Sequence, residues 1–225
     1  MIRVVHQVPG PVQLDLHLYT EGLPGDVDCR TFGDAAAGVT VLERWPTEAA
    51  FAEFWNRNYR STERLVDVAS VAATEIYRYE PFTRIGWTWM PSRQRASARL
   101  HWGNAGPVRV LYQFTVPEGE QAHDPHATRE TLREPGCLEF AYLSEVTASG
   151  RYVLLELWAS QYEYDVHWRL RQDSGEASPA RAPLDEPEVA SEAEFYRHRR
   201  MHCHYGLWSP VEPGFASNSI DWPVP

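Results

Sequence analysis

The sequence predicts an α+β fold that consists of two ferredoxin-like units in tandem, each with the element order β-α-β-β-α-β. Two observations lead to this prediction. The first is that three blocks of sequence occur twice along the chain, in the same order each time. The second is that the later copy contains signals for strands and helices in the order β-α-β-β-α-β. Because 225 residues can form two small domains, we expect a first unit at residues 1–98 and a second at residues 99–225.

Aligned aromatic and acidic residues carry the repeat. In the best-matching block, Glu43 corresponds to Glu156 and Trp45 corresponds to Trp158. The three pairs of blocks are residues 39–55 with 152–168, residues 23–29 with 134–140, and residues 75–91 with 194–210. A constant order with modest gaps indicates a duplicated domain.

The second unit shows the clearer signals for helices and strands. Asp124 and Pro125 are typical of a helix start, and Gly136 of a helix end. Ser160 and Glu163 form a capping box that begins a second helix. The predicted elements are a strand at 107–116, a helix at 124–136, strands at 137–146 and 151–159 joined by a turn, the helix after Ser160, and a strand at 194–205.

The first unit is predicted to be shorter. Its first strand is expected at residues 12–20, which leaves no room for a first helix before residue 23, so this unit is interpreted as degenerate. In the second unit, residues 171–193 are rich in Pro, Ser, Glu and Ala. This composition predicts a mobile loop, either a disordered insertion or a lid over a pocket.

Composition excludes several classes of function. The net charge of −10 argues against binding to nucleic acid, whose phosphates need a basic surface. The chain contains no Lys, so lysine-based Schiff-base chemistry is excluded. Three cysteines are too few for a disulfide framework. We expect a cytoplasmic protein without membrane contact, since no apolar run approaches the length of a membrane helix and no signal peptide is evident.

Residues 133–168 resemble the antibiotic biosynthesis monooxygenase family, which is part of the dimeric α/β-barrel superfamily. The resemblance is carried by Pro-Gly-Cys after the first helix, by Glu-x-Trp-x-Ser at a strand end, and by a His nine residues after that Trp. The resemblance covers residues 107–205. Because residues 12–91 are related to this segment by the internal repeat, it applies to them as well. It implies two ferredoxin-like units packed sheet to sheet, here within one chain as a pseudo-dimer that is monomeric or forms a homodimer.

The resemblance also implies a reaction. Family members oxidise an aromatic polyketide-type phenol or anthrone with O₂ in antibiotic or secondary-metabolite biosynthesis, and they need no cofactor. The absence of a GxGxxG motif after a strand agrees with this, since flavin and nicotinamide enzymes often carry one. The alternatives are a polyketide cyclase of the same superfamily and a non-catalytic small-molecule-binding protein. Leu154 stands where better-known oxygenases of the family often place Asn. The oxygenase mechanism would therefore depend on other residues in this protein.

Two residues of the second unit are candidates for catalysis. His167 lies on the helix position that Phe54 occupies in the first unit, within an inward-facing stripe. An inward His can act as a general base or can be a hydrogen-bonded core residue. Trp158 can form an aromatic wall for a planar substrate or can fill the core. With Phe54 in place of a base, the first unit is expected to be chemically inert.

Further residues are candidates for substrate contact. These are His202, His204, Glu156, Tyr112 and Trp168. As part of one strand, His198, His202 and His204 would share a face, but His198 would lie about 13 Å from His202. This distance and the flanking Arg residues argue against a metal site, so the face lines a pocket or is a polar surface. Glu156 can be a base, or it can be a solvated or Arg-paired carboxylate, and His123 and His126 are expected to be exposed.

Overall fold

The computed structural model describes residues 1–10, 20–34, 37–59, 63–85, 88–91, 106–173 and 192–211. In these residues the strands are β1 (Ile2–Pro9), β2 (Asp28–Asp34), β3 (Gly38–Trp45), β4 (Ala73–Arg78), β5 (Pro81–Ile85), β6 (Thr88–Pro91), β7 (Val108–Thr115), β8 (Cys137–Ser144), β9 (Arg151–Trp158), β10 (Glu192–Arg197), β11 (Arg200–His204) and β12 (Leu207–Pro210). The helices are α1 (Glu48–Asn58), α2 (Glu63–Val71), α3 (Pro125–Thr131) and α4 (Gln161–Asp173). No helix among the described residues is long and apolar enough to cross a membrane.

The strands form two antiparallel six-stranded sheets of equivalent order. One sheet has the order β12-β11-β4-β1-β3-β2 and the other β6-β5-β10-β7-β9-β8. In each sheet the four strands nearest the β2 or β8 edge follow the order expected of a ferredoxin-like unit, with its first and third strands in the centre. The prediction of two ferredoxin-like α+β units is therefore confirmed.

The last block of each repeat differs from the prediction, because it contributes strands to both sheets. β4 pairs with β1, whereas the hairpin β5–β6 pairs with β10 in the other sheet. Likewise β10 pairs with β7, whereas the hairpin β11–β12 pairs with β4. The expected single strand at 194–205 is wrong, since the chain leaves the sheet that contains β10 at residues 198–199, before β11 begins in the sheet that contains β4.

As a result, the two compact units are not the contiguous ranges 1–98 and 99–225. Unit 1 contains β1–β4, α1, α2, the hairpin β11–β12 and residues Glu145–Thr147. Unit 2 contains the hairpin β5–β6, the elements from β7 to α4, and β10. The period-two pattern of a strand shows which side chains share a face, but it does not show where the chain changes from one sheet to another.

The first strand of unit 1 also begins earlier than predicted. This strand is β1, at residues 2–9, and most of the predicted strand at 12–20 lies outside the described residues. Because β1 ends at Pro9 and β2 begins at Asp28, the interval between the first two strands is longer than predicted, and Thr20 and Glu21 within it are helical. In unit 2, α4 extends to Asp173 and β10 begins at Glu192. Residues 174–191 lie outside the described residues, so their mobility stays a prediction.

Each unit has one core between its sheet and its helices. The unit 1 core contains Ile2, Val4, Val41, Trp45, Phe51, Trp55, Leu65, Val68 and Ile76. The unit 2 core contains Phe82, Val108, Val110, Tyr112, Phe140, Leu154, Trp158, Tyr164, Ala193 and Phe195. The repeat is visible in these cores, because Ile2 pairs with Trp45 in unit 1 as Val108 pairs with Trp158 in unit 2.

Candidate active site

The candidate site of unit 2 lies where β9 ends and α4 folds back over the sheet. The backbone N–H of Tyr162 donates to Ser160 Oγ at 3.1 Å, and the Ser160 hydroxyl donates to the Glu163 carboxylate. Ser160 therefore caps the helix, as predicted, and Glu163 bonds to the Ser160 hydroxyl, whereas in a capping box it accepts from the backbone N–H of that residue. The cap starts the helix immediately after the strand, and two turns later the His167 ring lies 4.6 Å from the Trp158 ring between centroids.

His167 is held by a carboxylate. Only 5% of the residue is exposed, and its Nδ1 lies 2.8 Å from Glu134 Oε2. Because an ionised carboxylate can only accept hydrogen bonds, Glu134 places the proton on Nδ1 and leaves the lone pair on Nε2. The edge of Phe140 packs against the same imidazole at 5.8 Å. The arrangement is a buried His–carboxylate pair in an aromatic setting.

Sequence analysis missed Glu134, although a signal for it exists. In the aligned blocks, Leu23 corresponds to Glu134 just as Phe54 corresponds to His167. Both unit 1 residues pack against the apolar core. Two apolar positions of one unit are thus replaced together by an acid and an imidazole that form a hydrogen bond.

Trp158 and Glu156 form a second pair in this unit. Trp158 Nε1 donates to Glu156 Oε2 at 2.7 Å, and Trp158 has no exposed surface. In unit 1, Trp45 Nε1 donates to Glu43 Oε2 at the same distance. Because both units keep this bond, it contributes to the common fold. Contact of Trp158 or Glu156 with a substrate stays a prediction and requires neighbouring side chains to move.

Tyr112 and Trp168 lie in the same unit as His167. Tyr112 is buried on the helix-facing side of β7 and stacks on Phe114, with ring centroids 5.3 Å apart. Trp168 is half-buried against the same core. The structure therefore places the predicted residues of β7, β9 and α4 around one core.

His202 and His204 do not lie in this unit. They alternate along β11 with Met201 and Cys203, which pack against the unit 1 core, and both imidazoles are exposed. His198 precedes β11 and belongs to unit 2, so the predicted row of three histidines is broken. Among the described residues, no group of three or more His, Cys, Asp and Glu side chains is arranged to hold a metal ion.

A histidine that the sequence suggested to be exposed belongs to the aromatic face of unit 2. His123 is half-buried and stacks almost parallel on Tyr142, with ring centroids 4.6 Å apart and an interplanar angle of 8°. Its Nδ1 is buried and has no hydrogen-bond partner in the described part of the chain. Tyr142 contacts Phe140, so an aromatic row extends from His123 to His167. His126 is exposed, as expected.

Unit 1 has a different polar centre. By strand register, His6 stands where unit 2 has Tyr112. His6 is fully buried, its Nδ1 lies 2.8 Å from Thr74 Oγ1, and its Nε2 lies 3.7 Å from Glu43 Oε1. The interior of unit 1 therefore carries an imidazole, although Phe54 suggested that this unit has no base.

Comparisons with known proteins show which family one segment of the chain is similar to. Residues 107–172 match the family model described as antibiotic biosynthesis monooxygenase, which confirms the resemblance predicted from the sequence. This segment runs from the start of β7 almost to the end of α4 and includes Glu134, Trp158 and His167. The matched segment belongs to unit 2, and it covers less than half of the chain. No curated protein matches the chain significantly.

Three solved structures are similar over most of their length. A protein assigned as a monooxygenase from Fusobacterium nucleatum is 10% identical, with 88% of this chain and 91% of that chain covered and a TM-score of 0.29. Another from Lactobacillus acidophilus is 11% identical, with 93% and 95% covered and a TM-score of 0.31. An anthrone oxidase-like protein is 12% identical, with 96% of each chain covered and a TM-score of 0.30. At these TM-scores the similarities carry no further argument.

Proposed function

We propose that this protein is a cofactor-independent monooxygenase that oxidises an electron-rich aromatic phenol or anthrone of secondary metabolism. O₂ is the oxidant, and His167 is the general base. The observation that carries the proposal is the bond between His167 and Glu134 inside a segment that matches the monooxygenase family.

The first step is removal of a proton from the substrate. With Nδ1 bound to Glu134, His167 Nε2 accepts the phenolic or enolic proton, and the Glu134 carboxylate stabilises the imidazolium that forms. Glu134 also fixes the orientation of the ring, so it acts as a positioning residue. Burial among Trp158 and Phe140 keeps water away from the base.

The second step is electron transfer from the deprotonated substrate to O₂. An aromatic enolate is a strong enough reductant to give one electron to O₂, and the two radicals then combine as a peroxide. Loss of water from the peroxide gives the ketone, so that an anthrone and O₂ become an anthraquinone and water. The substrate supplies all the electrons, so the protein needs only to bind, deprotonate and shield it.

The test measures O₂ uptake by the purified protein with anthrone and with hydroxylated anthrones. His167→Phe copies Phe54 of unit 1, and we expect it to lower kcat by about 10²–10⁴, the usual contribution of a general base. Glu134→Gln should lower kcat by roughly 10- to 100-fold with little change in KM, as loss of a carboxylate that orients a histidine often does. His126→Phe removes an exposed histidine of the same unit and serves as the control.

Two outcomes would contradict the proposal. Wild-type turnover by His167→Phe would show that His167 is structural. If the wild-type protein consumes no O₂ with any of these substrates, the oxygenase assignment fails, and ring closure of a polyketide without O₂ would then favour a cyclase.

A further inference from the structure

The core of unit 1 contains polar groups that the proposed reaction does not use. His6, Glu43 and Thr74 meet on the helix-facing side of β1, β3 and β4, and each is at least 99% buried. Trp45, Trp55 and Trp208 surround them, with the His6 ring 6.2 Å from Trp55 and 6.0 Å from Trp208. A buried imidazole and a buried carboxyl lie here within an aromatic shell.

Two hydrogen-bond donors of this shell have no acceptor among the residues that the structure describes. The indole Nε1 atoms of Trp55 and Trp208 are buried, and neither has a hydrogen-bond partner within the described ranges. The two rings meet edge to face with centroids 4.9 Å apart. An indole N–H can only donate, and leaving one buried without an acceptor costs roughly 1–3 kcal/mol. By contrast, the buried N–H groups of Trp45 and Trp158 each donate to a glutamate.

Trp208 reaches this place on the hairpin β11–β12. The hairpin joins the sheet through only two paired positions, Arg200 with Glu75 and Met201 with Thr74. Its tip rests on the end of α1, where a Cβ on Gly206 would lie 2.9 Å from the carbonyl oxygen of Trp55. Because both indole donors are covered in the structure, a ligand reaches them only when this hairpin moves.

The surrounding charge and the aromatic walls define the ligand. Burial first, and then the charges of Glu43 and Asp28, raise the pKa of the Cys29 thiol far above its ordinary value. The same charges disfavour an anionic ligand beside Glu43. Ring contacts from Phe51 and Tyr59 to Trp55 extend the aromatic wall. Aromatic walls with two neighbouring indole donors suit a planar ring that carries an uncharged acceptor oxygen.

We propose that unit 1 holds a second small-molecule site beneath the hairpin β11–β12, which binds a neutral planar aryl ketone. The ketone oxygen accepts hydrogen bonds from both Trp55 and Trp208, one on each lone pair, and the ring lies among the aromatic residues beside His6. This site is independent of the reaction proposed for unit 2.

The test uses chromone, a planar aryl ketone without an acidic proton that His167 could remove. Titration of ¹⁵N-tryptophan-labelled protein is followed through the indole N–H resonances, assigned with Trp55→Phe and Trp208→Phe. We expect the Trp55 and Trp208 signals to move downfield on binding, as new hydrogen bonds form. The Trp158 signal, whose N–H is already bound by Glu156, is the internal reference and should stay in place.

Matched ligands and variants make the test specific. Naphthalene has a similar ring system without the acceptor, and 2-naphthoate adds a negative charge, so both should bind at least five-fold more weakly than chromone. Trp55→Phe or Trp208→Phe should weaken chromone binding by about 5- to 10-fold, which is the loss of one hydrogen bond. His167→Phe should leave chromone binding unchanged, which separates this site from the proposed active site.

Three results would overturn the proposal. The first is that chromone leaves both indole signals in place up to its solubility limit. The second is that naphthalene moves them as strongly as chromone does. The third is that His167→Phe abolishes binding, which would place the ligand in unit 2.

Discussion

The two units of this protein share a sheet but differ in where they place an imidazole. Both keep a buried Glu–Trp bond on the third strand of the repeat, and both keep a Tyr–Glu bond on the fourth, formed by Tyr77 with Glu75 and by Tyr196 with Glu194. Unit 2 has its buried imidazole on helix α4, as His167, whereas unit 1 has it on strand β1, as His6. These bonds within strands are the same in both units, whereas the position of the buried imidazole differs.

The difference extends to the second strand of each repeat. The helix-facing side of β8 carries Phe140 and Tyr142, which form the aromatic row in unit 2. By register with β3, the same positions on β2 carry Cys29 and Thr31. Unit 2 therefore combines its base with an aromatic surface, and unit 1 combines its imidazole with tryptophan donors from a hairpin and a helix.

The largest expected effect comes from exchanging the His–carboxylate pair for its unit 1 counterpart. His167→Phe with Glu134→Leu copies Phe54 and Leu23, and we expect O₂ uptake to fall by about 10²–10⁴. Adding Phe54→His and Leu23→Glu should not restore the rate, because unit 1 lacks the aromatic row. Recovery of the wild-type rate by the fourfold variant would show that the units are interchangeable.

The next effect concerns the reactivity of a unit 2 thiol. Burial first, and then the charges of Glu156 and Glu134, raise the pKa of Cys137 from 9.0 to about 11. At pH 8 its thiolate fraction should be about a hundredfold lower than that of an ordinary cysteine, since each pKa unit is a factor of ten. Alkylation of Cys137 by iodoacetamide, followed by mass spectrometry, should therefore accelerate steadily up to about pH 11. A plateau near pH 9 would contradict this.

The shared Glu–Trp bond allows a test of stability in both units. Glu156→Leu and Glu43→Leu each leave an indole N–H buried without its acceptor, and we expect a loss of roughly 1–3 kcal/mol in the free energy of unfolding. Urea denaturation measures it, with Glu156→Gln and Glu43→Gln as controls that keep an acceptor. If only one of the two Leu variants is destabilised, the bond is not a common element of the fold.

The smallest effect is expected at the hairpin of unit 1. Gly206 has φ +85° and touches the end of α1, so Gly206→Ala introduces strain of about 1–3 kcal/mol. We expect faster amide hydrogen exchange in β11–β12, with exchange in β7 and β9 unchanged. Equal protection of β11–β12 in the variant and the wild type would mean that the tip is not docked on α1.

Signals between residues that are close in sequence predicted local structure well. They predicted less well which sheet each strand joins. The helix starts at Asp124 and Ser160 were predicted because a cap depends on a few neighbouring residues. The break at residues 198–199 was not, because either sheet edge can accept the same alternating strand. The family match of unit 2 was predicted from motifs that lie close together in sequence.

Within the candidate site, the same distinction holds. The neighbourhood of Trp158 and His167 was predicted, since only one turn separates β9 from α4. Glu134 was missed because its bond to His167 joins residues 33 positions apart. His6 was missed because the first strand was expected at 12–20, and the residues of β1 were then not considered as part of the core.

The exchanged hairpins have a consequence for synthesis on the ribosome. Thr74 on β4 pairs with Met201 on β11, which lies 127 residues further along the chain. At roughly 5–20 residues per second, the β4 edge waits about 6–25 s for the strand that covers it. During this interval a nascent chain presents an unpaired edge strand, the kind of surface at which chains associate. Slowing translation across residues 80–200 should therefore increase aggregation of newly made protein, and a chaperone that binds extended segments should reduce it.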